Sequence, residues 1–481
     1  MNGPIRRIAA VLFVAFALLI LNVTYIQAID TSRYRDNPLN PRVAAGITGK
    51  ERGLIVTADG TVLARSIADP DDPSRFTRTY PEGPAFAQVV GYSSLLFGDE
   101  GLERVYAQDL RSRRDLTLSD VIAALMGRDL RPKSLQLTLD DGLQKAAFAA
   151  LGERRGAVVA IDPATGAVLA IVSTPSFDPE VMLAPDAAVL RSLLLDDPDE
   201  PLANRAIGRT YPPGSTFKVI VAASAVENGV AGPDTDFLDP TEFPLPGSTS
   251  AIRNYERGPC VDGTHVTLDI AFRRSCNTIF AMLGLDVGAA ALAETATSFG
   301  FGTPPAFELP VQASFFPDPA DLDGPALAQS AIGQRDVRAT PLEMALVSAA
   351  IANNGLLMQP YLVSRVVDAS GTTVVERAPE LLSRTVSSAT ATIVAQLMEG
   401  VVASGTGTRA TVPNVRVAGK TGTAETSTGS PDVWFIAFAP VERPTIALAV
   451  FVQGAGENAT GGSVAAPIAQ KILDFWLQGR T

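Results

Sequence analysis

An uncharged, apolar segment at the start of the chain constrains its topology more than any other feature. Residues 8–28 contain no charged side chain and directly follow Arg6 and Arg7. A helix of this length crosses a bilayer once, and positively charged flanks stay on its cytoplasmic side. We therefore expect a cytoplasmic N-terminus over residues 1–7, a single-pass anchor over 8–28, and an extracytoplasmic remainder at the plasma membrane.

A cleaved signal peptide is the main alternative to this anchor, and a buried core helix is a second one. Cleavage sites carry small residues, but Ile26 stands where a small residue would precede Ala28. A core helix does not explain two arginines followed by an apolar run at the extreme N-terminus. No later segment reaches spanning length without a charge or a proline, so the sequence predicts one span. Whether the helix is ever cleaved stays open.

Length and composition bound the rest of the chain. A chain of 481 residues exceeds one comfortable core, so we expect two domains. The net charge of −12 argues against nucleic acid as a partner. His265 is the only histidine, and Cys260 and Cys276 are the only cysteines. One histidine and two cysteines are too few ligands for a metal site built from several histidines or thiolates, and we expect neither a metal nor a cofactor.

The two cysteines allow two interpretations. A disulfide persists outside the cytoplasm, and closing the loop between Cys260 and Cys276 would stabilise the fold by about 3 kcal/mol. Two separate buried thiols are the alternative. The single-span topology favours the disulfide.

Residues 29–145 hold few chemically useful side chains, and we assign them to a small, mixed, non-catalytic domain of the pedestal or dimerisation type. Its first part, residues 33–42, is rich in arginine and asparagine. The Ala58-Asp-Gly60 turn joins two β-rich runs, which predicts a hairpin. Residues 86–94 (FAQVVGYSS) have the composition of a further strand.

From residue 146 to residue 481, hairpin and helix signals alternate, which predicts an α+β domain. Just before it, a strand leads through a cap at Asp140 or Asp141 into an amphipathic helix. A turn over 162–166 joins the strands of a hairpin. We predict further helices over 342–355, ended by Asn354-Gly355, and at KILDFWL near the C-terminus.

The candidate chemistry begins with Ser215 and Lys218 in the stretch YPPGSTFKVI. Prolines and a glycine precede Ser215, so we expect it to open a helix, where residues i and i+3 share one face. A serine hydroxyl needs a base to become a nucleophile, and lysine serves if burial or a second cation lowers its pKa. Backbone N–H groups at the helix start would stabilise an oxyanion. No other serine and lysine in the chain have this spacing.

A second segment, Ser275-Cys276-Asn277, offers partners for this pair. Ser275 could relay protons between the nucleophile and a leaving group, and Asn277 could hold a substrate amide and orient Lys218. Serine and asparagine also favour helix starts, so a helix cap is the plainer interpretation of these residues taken alone.

A third segment, VAGKTGTAE, supplies a positive charge and hydroxyl groups. Lys420 would bind a carboxylate and depress the pKa of Lys218, while Thr421 and Thr423 would bind the same carboxylate. Glycines at 419 and 422 would let a ligand approach the backbone closely. An edge strand with a glycine bulge is the alternative.

The order Ser-x-x-Lys, Ser-x-Asn, Lys-Thr-Gly is the motif set of β-lactamases and penicillin-binding proteins, with Cys276 where that set has Asp. On these motifs the chain resembles the class B penicillin-binding proteins, which are monofunctional D,D-transpeptidases. Within them it is most similar to the penicillin-binding protein A group of high-GC Gram-positive bacteria. The supporting segments are RGLIVTADGTVLA, NPLNPR, NRA (204–206), IGQRDVRATPLEMA (332–345), GTGTRA (405–410) and VWFIAFAP (433–440).

The resemblance implies a β-lactamase/transpeptidase-like domain, with an antiparallel sheet flanked by helices, over residues 146–481. It implies that Ser215 is the acyl-accepting nucleophile and Lys218 its base. The other implied catalytic residues are Ser275 and Asn277, as proton relay and amide clamp, and Lys420, which holds the substrate carboxylate with Thr421 and Thr423. Gly422 is a further implied substrate-binding residue, and the N–H groups of Ser215 and Thr423 are implied to form the oxyanion hole.

The resemblance also implies the reaction and the partners. The family breaks the D-Ala–D-Ala bond of a peptidoglycan stem peptide, forms an acyl-enzyme and passes the acyl group to an amine. β-Lactam antibiotics acylate the same serine. The usual protein partner is a SEDS-type glycosyltransferase, contacted through the anchor and the N-terminal domain.

Three rival functions share some of these residues. A serine β-lactamase would be smaller and soluble, and no Glu-x-x-Leu-Asn lies between the second and third motifs. A D,D-carboxypeptidase, which transfers to water, differs little in its residues, although the N-terminal domain counts against it. A β-lactam sensor would need a cytoplasmic effector, and a scaffold would not need both lysines. The acceptor amine, the oligomeric state, and a role in elongation or septation stay open.

Overall fold

A computed structural model of the chain describes residues 2–28, 49–111, 131–426 and 429–478. The first helix, α1 (Asn2–Ala28), contains the span Arg6–Ile26, the only single helix of the described ranges long and apolar enough to cross a membrane. Its apolar side chains are exposed, as a lipid-facing helix requires. A bent pair, Asn277–Val287 with Ala289–Ser298, passes the same test together, but many of its side chains are buried in the core. The stretch 33–42 lies outside the described residues.

After α1, short strands and helices alternate along the described part of the chain. The strands are β1 (Ile55–Val56), β2 (Val62–Ala68), β3 (Phe76–Thr79), β4 (Ser93–Ser94), β5 (Gly98–Asp99), β6 (Ser134–Leu137), β7 (Gly156–Ile161), β8 (Val168–Thr174), β9 (Asp236–Leu238), β10 (Glu242–Pro244), β11 (Ala251–Arg253), β12 (His265–Thr267), β13 (Leu356–Met358), β14 (Val363–Val367), β15 (Thr373–Glu376), β16 (Leu381–Arg384), β17 (Ala418–Ala424), β18 (Asp432–Ala439) and β19 (Ile446–Val452). The helices are α2 (Ala87–Val90), α3 (Gly101–Val105), α4 (Ala107–Leu110), α5 (Asp141–Leu151), α6 (Ala187–Asp196), α7 (Lys218–Glu227), α8 (Leu268–Arg274), α9 (Asn277–Val287), α10 (Ala289–Ser298), α11 (Gly324–Ser330), α12 (Pro341–Ala352), α13 (Ser388–Ser404) and α14 (Ala466–Gln478).

A five-stranded antiparallel sheet forms the centre of the larger domain, in the order β17-β18-β19-β7-β8. Strands β18 and β19 are buried along their whole length, which fits their continuous apolar sequences. Helix α12 packs on one face of the sheet, and α5 and α14 pack on the other. Strand β17 lies at an edge, so its outer backbone groups face the candidate site.

A second sheet connects the two halves of the chain. It has the order β15-β14-β6-β1-β2-β3, in which β1 and β6 are parallel and the other pairs antiparallel. Strands β14 and β15 come from the region that we expected to form the second domain. The hydrogen bonds between β14 and β6 therefore attach the N-terminal domain to the larger domain through a continuous sheet.

A buried ionic cluster holds parts of the N-terminal domain together. Glu103 is fully buried, and its carboxylate lies 2.5 Å from Arg52 Nη2 and 2.6 Å from Arg78 Nε. A buried carboxylate needs such partners, because an unpaired one costs several kcal/mol of stability. These contacts explain why charged residues occur in the core of a scaffold-like region.

Several elements predicted from the sequence are confirmed. Antiparallel pairing joins β1 to β2 and β7 to β8, as the two turn signals indicated. Asp140 caps α5, accepting a hydrogen bond from Leu143 N at 2.9 Å. Helix α12 ends before Asn354, whose φ of +54° lies in the left-handed region. The α+β class, with helices on both faces of an antiparallel sheet, is also confirmed.

The strand predicted over residues 86–94 is wrong. The structure has α2 over Ala87–Val90 and only the two-residue strand β4. Val89 and Val90 are both buried although they are adjacent, so the alternation that a half-exposed strand requires is absent. Gly91 ends the helix with φ +72°, and a Cβ there would lie 2.1 Å from the Glu100 carbonyl oxygen.

Candidate active site

Ser215 lies in a 3-10 turn over Gly214–Phe217, and α7 begins three residues later at Lys218. The sequence predicted that Ser215 opens a helix. The structure has a tighter 3-10 turn there, but Ser215 and Lys218 still lie on one side of it, because residues i and i+3 of a 3-10 helix are aligned. Gly214 has φ +53°, a conformation that favours glycine. The turn therefore presents Ser215 beside the edge strand β17.

Glycines bring this turn and β17 into contact. A Cβ on Gly214 would lie 2.7 Å from the Thr423 carbonyl oxygen, and a Cβ on Gly422 would lie 2.8 Å from the Pro213 carbonyl oxygen. A Cβ on Gly419 would lie 2.5 Å from the Phe435 ring. We expected Gly419 and Gly422 to leave space for a ligand, but protein atoms fill that space. Gly422 instead lets the serine turn pack directly against the strand.

Lys218 is fully buried, with 0% of its surface exposed, and its amine contacts the second motif. Its Nζ donates to the Ser275 carbonyl oxygen at 2.8 Å and to Asn277 Oδ1 at 2.7 Å, and it lies 3.4 Å from Ser275 Oγ. The hydrogen bonds of this amine in the structure go to the second motif and not to Ser215. The arrangement thus joins α7 to the start of α9.

Lys420 is also fully buried and meets the same serine from the opposite side. Its Nζ donates to Ser275 Oγ at 2.8 Å and to the Thr421 carbonyl oxygen at 3.1 Å. The Ser275 hydroxyl therefore lies between the two lysine amines. Ser275 itself adopts the left-handed conformation, with φ 61° and ψ 42°, at the end of α8. That unusual backbone for a serine places its carbonyl and its hydroxyl toward the two lysines.

Burial weakens proton binding at both amines, and the charge of Lys420 weakens it further at Lys218. Burial, and then the positive charge of Lys420, hold the pKa of Lys218 well below its usual range. Burial lowers the pKa of Lys420 to about 7. A lysine able to accept a proton from a serine at neutral pH requires a shift in this direction.

Two phenylalanine rings form an apolar surface under the lysines. Lys218 Nζ lies 5.3 Å from the Phe280 ring centroid, and Lys420 Nζ lies 5.6 Å from that of Phe272. The two rings are fully buried and pack together with centroids 5.9 Å apart. We did not single out these residues from the sequence. Apolar residues in helices next to a motif give no signal beyond core packing.

The remaining predicted residues lie on β17, where side chains alternate between faces. Thr421 is buried, and its hydroxyl is 2.6 Å from the hydroxyl of Thr406 in the GTGTRA segment. Thr423 is partly exposed, and its Oγ1 accepts from Gly461 N at 3.3 Å. The sequence marks Thr406 only as part of a family signature. The structure shows a physical reason for it, since it fixes the Thr421 side chain.

The other reactive residues of the sequence lie as follows. His265 Nδ1 is 2.6 Å from Asp236 Oδ2 on the exposed β9–β12 pair, and both side chains are more than half exposed. Cys260 and Cys276 form a disulfide, with their Cα atoms 5.6 Å apart. Within the described ranges, no group of three or more His, Cys, Asp or Glu side chains could hold a metal ion. The candidate base nearest to Ser215 in the sequence is the buried Lys218.

The arrangement as a whole suits nucleophilic acyl transfer. Two buried amines of weakened basicity and a bridging hydroxyl converge from α7, the α8–α9 junction and β17, and the 3-10 turn that carries Ser215 packs against β17. Backbone N–H groups of Ser215 and of an edge strand are available for a developing oxyanion. A substrate carboxylate would meet the positive charge of Lys420 and the hydroxyl of Thr423.

Comparisons with known proteins agree with this geometry. A family model described as penicillin binding protein transpeptidase domain matches residues 156–474, and one described as penicillin binding protein A dimerisation domain matches residues 52–135. The chain is 40% identical over 488 residues to the peptidoglycan D,D-transpeptidase PbpA of Mycolicibacterium smegmatis, covering 98% of both chains. It is 39% identical to PbpA of Mycobacterium tuberculosis H37Rv over the full length of both.

A solved structure shows the same similarity in three dimensions. The ceftriaxone acyl-enzyme complex of penicillin-binding protein A from M. tuberculosis superposes with a TM-score of 0.83 at 38% identity. The match covers 89% of this chain and 99% of that one.

Proposed function

Because the chain belongs to the penicillin-binding protein transpeptidase family, we propose that it is a peptidoglycan D,D-transpeptidase that uses Ser215 as its nucleophile. The observation that carries the assignment of residues is the Ser275 hydroxyl, which lies between two fully buried lysine amines. Burying two lysines together is costly, and such a cost is typical of a functional site. The cluster lies directly beside the serine turn.

The first step is the attack of Ser215 Oγ on the carbonyl carbon between the two D-Ala residues of a stem peptide. The Oγ–C bond forms while the hydroxyl proton passes to Lys218, which can accept it because burial favours its neutral form. The N–H groups of Ser215 and Thr423 stabilise the oxyanion. The carboxylate of the terminal D-Ala is held by Lys420, Thr421 and Thr423.

In the second step the C–N bond of the tetrahedral intermediate breaks. The leaving D-Ala nitrogen takes up the proton through the Ser275 hydroxyl, which hydrogen-bonds Lys420 and lies near Lys218. An amine of a second stem peptide then attacks the acyl-enzyme, and the same groups act in reverse to release Ser215. Asn277 clamps an amide of the bound peptide and orients Lys218. A β-lactam undergoes the same attack and C–N cleavage, which opens its ring, but its acyl group is not passed on to an amine, so Ser215 stays acylated.

The finer assignments concern the membrane and the partner. Helix α1 would anchor the protein in the plasma membrane, with residues 1–7 in the cytoplasm, and the catalytic domain would act outside. The sheet shared by both halves of the chain supports a fixed attachment of the catalytic domain to the N-terminal domain. We further propose that α1 and the N-terminal domain contact a SEDS-type glycosyltransferase, which makes the glycan strands that this enzyme cross-links.

Release of D-Ala with and without an amine acceptor tests the proposed reaction. The detergent-purified full chain is supplied with a stem peptide ending in D-Ala-D-Ala, and D-Ala and the cross-linked product are measured. We expect product only with the acceptor, and neither product nor D-Ala from Ser215→Ala. D-Ala release that is indifferent to the acceptor would identify a D,D-carboxypeptidase. No release by the wild type would refute the assignment.

A further inference from the structure

The start of helix α9 carries Asn277 but lacks a local cap. The first N–H groups of a helix have no partner within the helix and need an acceptor from outside. The residue at the capping position is Cys276, whose sulfur is joined to Cys260 and accepts no capping hydrogen bond. The family motif set has Asp at this position, and Asp is among the best capping residues.

A distant residue supplies the missing acceptor. Asn254 follows β11, and its Oδ1 accepts from Asn277 N at 2.8 Å and from Thr278 N at 3.2 Å. The hydroxyl of Thr278 also donates to this oxygen, at 3.3 Å. Asn254 is held in turn by its own Nδ2, which donates to the Gly258 carbonyl oxygen at 3.0 Å. One side-chain oxygen thus satisfies three donors at the beginning of α9.

The same segment also fixes the orientation of the Asn277 amide. Asn277 Nδ2 donates to the carbonyl oxygen of Arg253, the residue before Asn254, at 3.1 Å. Its Oδ1 is then directed at Lys218 Nζ, 2.7 Å away. The Cys260–Cys276 disulfide joins the same loop to the same helix start. The loop over residues 253–260 therefore holds Asn277 by its backbone, by its side chain and through its neighbour Cys276.

We propose that Asn254 is a positioning residue for the transfer reaction: it caps α9 from a separate loop and so holds the Asn277 amide against Lys218. It replaces the capping group that the motif loses when cysteine occupies position 276, and the disulfide keeps the replacement in place. This inference rests on the proposed function. It adds a residue outside the three motifs to the machinery that orients the base.

The test measures acylation by a fluorescent penicillin on the detergent-purified full chain. Asn254→Ala should lower the second-order acylation rate constant about tenfold, because a partly buried cap and the alignment it provides are lost. Asn254→Asp keeps the acceptor oxygen and should acylate nearly as fast as the wild type. Asn353→Ala is the matched control, since its Nδ2 bonds the Leu356 carbonyl away from the site; it should leave acylation unchanged.

Two readouts separate positioning from a general loss of stability. The Asn277 side-chain oxygen stabilises the protonated form of Lys218. Because Asn254→Ala weakens this contact, it should lower the pKa of Lys218, and the rise of the acylation rate with pH should move to lower pH. The charge that faces Lys218 is that of Lys420 on β17, which the variant leaves in place. In addition, Asn254→Ala combined with Cys260→Ser and Cys276→Asp restores a local cap and should recover most of the lost rate.

Every outcome of these measurements either supports or overturns the positioning role of Asn254. Equal acylation by wild type and Asn254→Ala, or failure of both Asn254→Asp and the Cys276→Asp combination to restore the rate, would overturn the inference alone. A wild type that is not acylated at all would overturn the proposed function and this inference with it. Should Asn254→Ala not fold, hydrogen exchange of the wild type still decides: the Asn277 and Thr278 amides should be protected, and rapid exchange there would exclude the cap.

Discussion

A buried acid in the core of the catalytic domain makes stability depend on pH in a way that can be worked out from the structure. Glu343 lies in the first turn of α12 and is 2% exposed. Its Oε1 is buried without a hydrogen-bond partner among the described residues, and it faces the backbone of Gly300. The spacing Thr340-x-x-Glu343 is that of a capping box, but the Thr340 N–H donates to Ser314 Oγ instead. The carboxyl therefore has no compensation for its burial.

The magnitude follows from the pKa. Burial raises the pKa of Glu343 from its usual 4.5 to about 8. Between these values the unfolded chain has released the proton and the folded chain still holds it, so stability falls as pH rises and levels off above about pH 8. The full difference corresponds to a loss on the order of 5 kcal/mol. Glu343→Gln cannot ionise, and it should remove this loss.

Thermal unfolding of the purified full chain checks this prediction. The Tm of Glu343→Gln should be close to that of the wild type near pH 4.5 and should exceed it by several degrees at pH 8. Glu294→Gln, on the exposed side of α10, is the control and should show no such divergence. A Tm difference that is the same at both pH values would refute the reasoning, because it would mean that Glu343 does not change protonation on unfolding.

Three further predictions concern the site. Replacing Cys260 and Cys276 by serine should reduce stability by about 3 kcal/mol, seen as a lower Tm of the unreduced protein; an unchanged Tm would contradict a stabilising disulfide. Gly214→Ala should cut the acylation rate constant at least tenfold, because the added Cβ would lie 2.7 Å from a carbonyl oxygen of β17 and because the φ of +53° is unfavourable for alanine. Acylation at the wild-type rate would show that this close approach is dispensable. Lys420→Met removes a charge that lowers the pKa of Lys218, so the rise of acylation with pH should move to higher pH; a shift to lower pH would contradict the base assignment.

The sequence was most informative where one local rule decides the structure. Turn residues located the two hairpins, and Asp140 marked the start of α5, because capping and turn chemistry act over a few residues. The strand expected over residues 86–94 failed for the opposite reason. Its apolar residues pack against α3 and against β8, which is distant in the sequence, and such packing overrides local preference.

The candidate site likewise contains some features that the sequence predicts and others that only the folded chain shows. Ser215 and Lys218 share a turn, and their proximity follows from spacing alone. That Ser275 lies between Lys218 and Lys420 depends on how α8, α9 and β17 meet, which no local pattern specifies. Asn254 gave no signal at all, because a cap supplied by a separate loop appears only in the folded chain. The shared six-stranded sheet is hidden for the same reason, since β6 and β14 are far apart in sequence.

The central claim is that Ser215 is the residue that becomes acylated. Its most direct test is peptide mapping by mass spectrometry after the full chain has reacted with a penicillin and been denatured. We predict an increase by the whole mass of the antibiotic, because the opened β-lactam ring has no leaving group to lose, and we predict that it maps to Ser215. A chain that gains no mass, or an adduct that maps to any other residue, would contradict the account.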